Sequence, residues 1–283
     1  MKVKIFLILF SISIILECLT GILRVYASFQ ISSLIGFILY LLLTLYFLNK
    51  YHEKLSYFLI FSAILLGLCL IQLPIRILNF KSTLVSLPDF IFHLSGVLFG
   101  LLLFKVRPVY SLSITGIWLV ILLYMCFNGY NIWIHKLNFG TFTGIVQETA
   151  PNFRIPLSEG KYLSNNSIKE KLIVFDFWHT ACGVCFTKFP TLQSKFDKYK
   201  NTKGVEFYAV DIHFKRDSVN QASNMIKKLK YTFPVLVIND SSAKAFNVQC
   251  VPTTLIINNG INIIYRGDIE GIDKTIENFK NGH

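Results

Sequence analysis

The sequence predicts a two-part chain, an N-terminal α-helical transmembrane bundle followed by a C-terminal α/β domain with a mixed central sheet flanked by helices. Three observations carry this. Residues 1–127 hold nine Lys or Arg and three Asp or Glu, against nineteen and thirteen in residues 128–283, so the two parts suit different solvents. Five apolar runs in the first part are long enough to cross a bilayer, which takes about 20 residues. In the second part, β-rich runs alternate with amphipathic helical stretches, the pattern of a sheet covered on both faces. The predicted division is a membrane domain over 1–127, a linker over 128–149 and an α/β domain over 150–283.

The apolar runs cover residues 3–23, 31–48, 55–73, 84–104 and 109–127. The first has the basic start of a signal peptide, but no small-residue cleavage site follows it and Glu17 spoils a lipoprotein box at Cys18, so it reads as a retained helix. Pro88, Asp89 and His93 interrupt the fourth, and a re-entrant segment there would leave four spans. Glu17, Asp89 and His93 are costly in lipid, which makes them candidates for function or for a buried polar cluster holding a broken helix. Lys2, Lys4, Lys50, Lys54, Lys105 and Arg107 fall on one side, and Arg24, Arg76 and Lys81 on the other. That bias puts the N-terminus in the cytoplasm and, with five spans, sends the α/β domain outside the cytoplasmic membrane. Cys18, Cys69 and Cys126 lie in separate spans at a shared depth of roughly 20 to 26 Å along each helix, which permits a relay of reducing equivalents. None of them forms a close pair.

The net charge of +12 divides into six on each side of residue 128. With no basic stripe interleaved with aromatics, nucleic acid is excluded as a partner and the lipid bilayer is the expected one. Beyond a Phe- and Gly-containing stretch at 138–144, strands are predicted at 172–177, 205–211, 235–238, 253–257 and 262–266. Helices are predicted at 184–199, 218–230 and 271–279, and Asn258-Asn259-Gly260 marks a turn.

Cys182-Gly183-Val184-Cys185 sits where the first of these strands hands over to a helix. A sulfur at a helix N-terminus meets free backbone N–H groups and the positive end of the dipole, which lower a thiol pKa. The two-residue spacing puts the second sulfur one turn on, able to attack a mixed disulfide formed by the first. Cys182 is therefore the expected attacker and Cys185 the resolver. Half a zinc site has the same spacing, but no second Cys or His pair accompanies it, so no metal is expected.

Residues 150–279 resemble the TlpA/ResA branch of the thioredoxin superfamily. The matching residues are Ala150-Pro151-Asn152-Phe153, Asp176-Phe177-Trp178 leading into the dithiol, Pro190, and Cys250-Val251-Pro252-Thr253-Thr254. The resemblance implies a cis Val251–Pro252 bond against the dithiol, with Trp178, Val251, Pro252 and Thr253 meeting substrate. It also implies that Asp176 is a buried acid that takes the Cys185 proton. No cofactor is implied beyond the redox-active Cys182–Cys185 disulfide. The implied partners are exported proteins carrying disulfides and an unknown electron donor or acceptor.

Departures from the family pattern are Ala181 in place of Trp, Val184 in place of Pro and Lys188 in place of Glu. The expected net effect favours thiolate and a more oxidising pair. Cys250 stands where a small residue is usual and is an accessory redox candidate, while His179 lies at the turn edge. The resemblance implies a membrane-anchored, extracytoplasmic thiol-disulfide oxidoreductase that reduces or exchanges disulfides in exported proteins, and two other readings compete. A peroxiredoxin-like thiol peroxidase shares the opening residues, but Phe175 stands where its motif has proline. A non-catalytic redox sensor or copper carrier is the other, although copper carriers of this fold space their cysteines by three and add a histidine.

Overall fold

In the computed structural model, which describes residues 1–157, 160–218 and 220–281, the chain divides into two compact units, Met1–Ile134 and His135–His283. Among the described residues, five stretches are long and apolar enough to cross a membrane: Lys2–Tyr26, Phe29–Tyr51, Tyr57–Leu78, Phe80–Lys105 and Pro108–Phe139. The first three are single helices, α1 to α3. Ser28 and Ser56 cap α2 and α3 by accepting the N–H groups of Ile31 and Leu59, which satisfies donors that the helix leaves free. The fourth consists of α4 (Phe80–Thr83), a 3-10 turn over Leu84–Ser86 and α5 (Leu87–Lys105). Pro88 falls in the first turn of α5, where a missing N–H costs no helical bond.

The fifth stretch joins α6 (Pro108–Tyr124), a π turn over Met125–Gly129 and α7 (Tyr130–Phe139). Helix therefore continues well past residue 127, because the wider turn absorbs Asn128 and Gly129 instead of ending there. The expected linker over 128–149 is corrected by this helix at its start and by a strand, Ile145–Thr149, at its end.

A buried polar network ties four helices of this unit together. Glu17 on α1 accepts from Gln72 Nε2 on α3 at 2.6 Å and from Tyr40 OH on α2 at 3.1 Å. It also pairs with Arg24, and with His93 Nδ1 on α5 at 3.0 Å. Asp89 accepts from Arg24 Nε at 2.6 Å and from Ser33 Oγ at 3.2 Å. Charges this deeply placed persist only when matched, and here each acid has a cation and neutral donors. Gly36 on α2 leaves the room: a Cβ there would lie 2.0 Å from His93 Nε2. Cys18, Cys69 and Cys126 are free thiols, Cys126 Sγ lying 3.3 Å from the Gln30 carbonyl.

The second unit carries β1 (Ile145–Thr149), β2 (Arg154–Pro156), β3 (Tyr162–Ser164), β4 (Leu172–Trp178), α8 (Gly183–Tyr199), β5 (Val205–Ile212), α9 (Gln221–Lys228), β6 (Val235–Ile238), α10 (Asp240–Ala245), β7 (Thr253–Asn258), β8 (Asn262–Gly267) and α11 (Asp273–Asn281). Six strands form one sheet in the order β1-β8-β7-β4-β5-β6, with β2 and β3 as a separate hairpin. β4, β5 and β6 run parallel, and β7, β8 and β1 alternate antiparallel. The predicted mixed sheet is observed.

β4 is buried at every position, as its unbroken apolar sequence requires for a central strand. Val174 and Trp178 on one face join Phe207 and Ala209 of β5 and Phe189 and Leu192 of α8. Ile173, Phe175 and Phe177 on the other pack with Val210, Leu255 and Phe246. The helix expected at 218–230 is shorter, starting after Asn220 at φ +62°, and Val219 lies outside the described residues. The α/β domain expected at 150–283 likewise ends in two residues, 282 and 283, outside them.

Candidate active site

Cys182 is the N-cap of α8, and its Sγ accepts the Cys185 N–H at 3.1 Å. The Cys182 N–H donates to the His179 carbonyl at 3.0 Å, closing the turn between β4 and α8. Cys182 and Cys185 form a disulfide, with Cα atoms 5.3 Å apart. Cys182 retains 8% exposure and Cys185 1%, so the outer sulfur is the one a partner can reach. Val184, beside it, is exposed.

The Val251–Pro252 peptide is cis, and the Val251 carbonyl oxygen lies 4.0 Å from Cys182 Sγ. A proline at the head of β7 gives no ladder donor, so the preceding residue's polar groups are not committed to the sheet. Thr253 is buried, its hydroxyl donating to the Cys250 carbonyl at 2.7 Å. Its side chain therefore holds the loop and does not face solvent.

Asp176 is 2% exposed and accepts from Thr254 Oγ1 at 2.6 Å. It shares a strand face with Val174 and Trp178, which pack in the core containing both cysteines. Burial pushes its carboxyl up to about 7, with Glu270 adding to the rise and the Thr254 hydrogen bond opposing it. A carboxyl poised there exchanges a proton near neutral pH.

Trp178, expected at the substrate surface, has no exposed surface. Its ring packs on Phe186 and Phe189, with centroids 6.1 and 5.0 Å away, because the last residue of a fully covered strand points into the α8 core. It is a floor beneath the dithiol, and a contact with substrate is not available to it.

Lys188 pairs with Glu270 at 2.5 Å across an exposed surface. An acid from a distant part of the chain thus stands beside the cation that replaces one. His179 accepts the Ala181 N–H through Nδ1 at 3.2 Å, and burial lowers its pKa, so it shapes the turn as a neutral ring. Cys250 is a free thiol with Sγ 3.6 Å from the Asn138 carbonyl and 3.9 Å from Thr253 Oγ1. Burial pushes it up, away from thiolate.

Sequence reading missed Thr254 as the partner of Asp176 and Glu270 as the partner of Lys188. Period-two alternation along β7 could have identified Thr254, whereas nothing local marks Glu270. Among the described residues, one group of side chains has the spacing to hold a metal ion: Asp211, His213 and Asp217.

Residues 146–266 match the model of the AhpC/TSA family. The thiol-disulfide oxidoreductase ResA of Bacillus subtilis is 31% identical over 145 residues, 51% of this chain and 76% of that protein. The ResA of Bacillus thuringiensis is 29% identical, covering 51% of this chain and 82% of that protein. Among solved structures, the thioredoxin domain of a thiol-disulfide oxidoreductase from Bacteroides vulgatus is 20% identical with a TM-score of 0.40, covering 48% of this chain and 96% of that one.

Proposed function

This chain belongs to the ResA family of thiol-disulfide oxidoreductases, and from that premise we propose that it is a membrane-anchored enzyme reducing or exchanging disulfides in exported proteins through Cys182 and Cys185. The observation that carries the reading is the pair at the head of α8, with the outer sulfur facing the Val251 carbonyl of a cis peptide. In the reduced enzyme, the Cys182 thiolate attacks one sulfur of a substrate disulfide. That bond breaks, a mixed disulfide forms and the first substrate thiolate leaves. Asp176 then accepts the Cys185 proton, and the Cys185 sulfur attacks Cys182 Sγ. This closes the Cys182–Cys185 disulfide and releases the second substrate thiolate. A dithiol electron donor must return two electrons and two protons for another turnover.

An extended substrate segment pairs with the Val251 backbone beside Pro252, and Val184 offers an exposed apolar contact. Buried Thr253 supports this loop from behind. The lysine and arginine distribution supports an orientation with the N-terminus in the cytoplasm and the thioredoxin-like unit outside it. The five candidate spans support anchoring in the cytoplasmic membrane.

The test uses the full chain in detergent, reduced and presented with a disulfide-containing protein. Cys182→Ser is expected to lose at least 100-fold in exchange, and Cys185→Ser to accumulate mixed disulfides visible on non-reducing gels. Retained turnover in Cys182→Ser would overturn the assignment. The match to the AhpC/TSA model favours one second reading, thiol peroxidase. Consumption of hydrogen peroxide faster than reduction of protein disulfides would select it. A copper carrier would instead bind one copper(I) per chain, and neither it nor a redox sensor would show exchange.

A further inference from the structure

Asp211 lies one residue before the end of a strand, in a setting that its charge does not suit. It is the seventh residue of β5, paired in register with Trp178 of β4 and Val237 of β6. It has no exposed surface. Both carboxylate oxygens lack a hydrogen-bond partner among the described residues. A buried carboxylate without donors costs several kcal/mol in a medium that cannot solvate it, so its ionised form calls for a cation beside it. The indole N–H of Trp178 also lacks an acceptor, but a single neutral donor could serve one of about four lone-pair sites and would add no positive charge.

What Asp211 faces is a ligand set. His213 Nδ1 lies 3.9 Å from Asp211 Oδ2, and one ligand atom from each of Asp211, His213 and Asp217 lies within 4.8 Å of the others. The other two residues are held in place. The His213 backbone N–H donates to the Ile238 carbonyl at 2.9 Å. Asp217 Oδ2 accepts from Thr180 Oγ1 at 3.0 Å and from the Phe214 N–H at 3.2 Å, the kind of outer hydrogen bonding that orients metal-ligating carboxylates. His213 is part-exposed, which provides an entry path from solvent.

We propose that Asp211, His213 and Asp217 bind a divalent cation of the zinc type, separate from the dithiol. One imidazole nitrogen and two carboxylates suit Zn²⁺, with water completing the shell. Bonds of about 2.0 to 2.2 Å hold tetrahedral donors roughly 3.4 Å apart, so the group closes by about an ångström on binding, a movement that the part-exposed His213 ring allows. The set is invisible to a search for paired Cys and His, because two of its three donors are carboxylates and the strand end and the following turn bring them together. Thr180 ties Asp217 to the turn that carries Cys182, so the ion would sit against the segment presenting the outer sulfur.

The test keeps the dithiol out of the coordination. Full-length protein in detergent, oxidised so that Cys182 and Cys185 are closed and then freed of metal by a chelator, is titrated with Co²⁺ and competed with Zn²⁺. The expected result is one Co²⁺ per chain, visible as ligand-field absorption with no sulfur charge-transfer band, and displaced by equimolar Zn²⁺. His213→Ala, at a part-exposed position that does not endanger folding, and Asp211→Asn each weaken binding at least tenfold. Cys250→Ala binds as the parent does. Failure to saturate below millimolar Co²⁺, a thiolate charge-transfer band, or unchanged affinity in His213→Ala would each overturn the site.

Discussion

In the proposed mechanism, Asp176 carries the proton transfer of the second unit. Its folded pKa of about 7 against an ordinary 3.8 means that the unfolded chain ionises first. This group's contribution to stability is therefore greatest below pH 4, falls as pH rises to about 7, and stays low above that. Asp176→Asn is expected to raise the unfolding free energy at pH 8 by an amount on the order of 2 to 4 kcal/mol, and to leave it nearly unchanged at pH 3.5, read by denaturant titration. Its effect on catalysis runs the other way. Release of a trapped mixed disulfide should speed up through pH 7 in the parent, and in the variant be slower by 10-fold or more without that inflection. Stopped-flow release of a labelled thiol measures this. Glu270→Gln, by removing an acid that raises the Asp176 pKa, should move the inflection to lower pH. The place of the dithiol at a helix N-terminus, the cis Val251–Pro252 bond and the burial of Asp176 were legible because each residue lies in a short local pattern. Thr254, Glu270 and the environment of Asp211 were not, since their meaning arises only when strands distant in sequence are laid side by side.

Among the elements, close approach of α2 and α5 depends on Gly36, where a methyl group would overlap His93 Nε2. Gly36→Ala should force the ring from its place between Glu17 and Asp89. The expected cost is about 1 to 3 kcal/mol for overpacking alone, read as a lower melting temperature in detergent. An equal melting temperature would mean that α2 and α5 are not held at this distance. The apolar runs of the spans were legible because lipid demands an uninterrupted stretch. The end of the fifth was not: the change in composition puts the boundary near Asn128, but a π turn carries the helix past it to Phe139. Two strands of three residues, β2 and β3, were too short to display any period.

For the whole molecule, the mixed sheet and the five apolar stretches were both legible, because each follows from a repeating pattern spread over many residues. The side of the membrane taken by each unit is a further expectation. In intact cells, a membrane-impermeant maleimide should modify Cys182 in a Cys185→Ser background after reduction. Labelling only after permeabilisation would reverse the topology. The polar network of the first unit also sets a timetable for biogenesis. Arg24 and Asp89 are separated by 65 positions, which at 5 to 20 residues per second corresponds to roughly 3 to 13 s of synthesis. During that interval the nascent first span can pair Glu17 only with its own Arg24, since His93, the other cation that meets Glu17, has yet to leave the ribosome. The internal pair thus works as a temporary escort, and a variant lacking Arg24 would be expected to fail at insertion, before the finished bundle could be assessed.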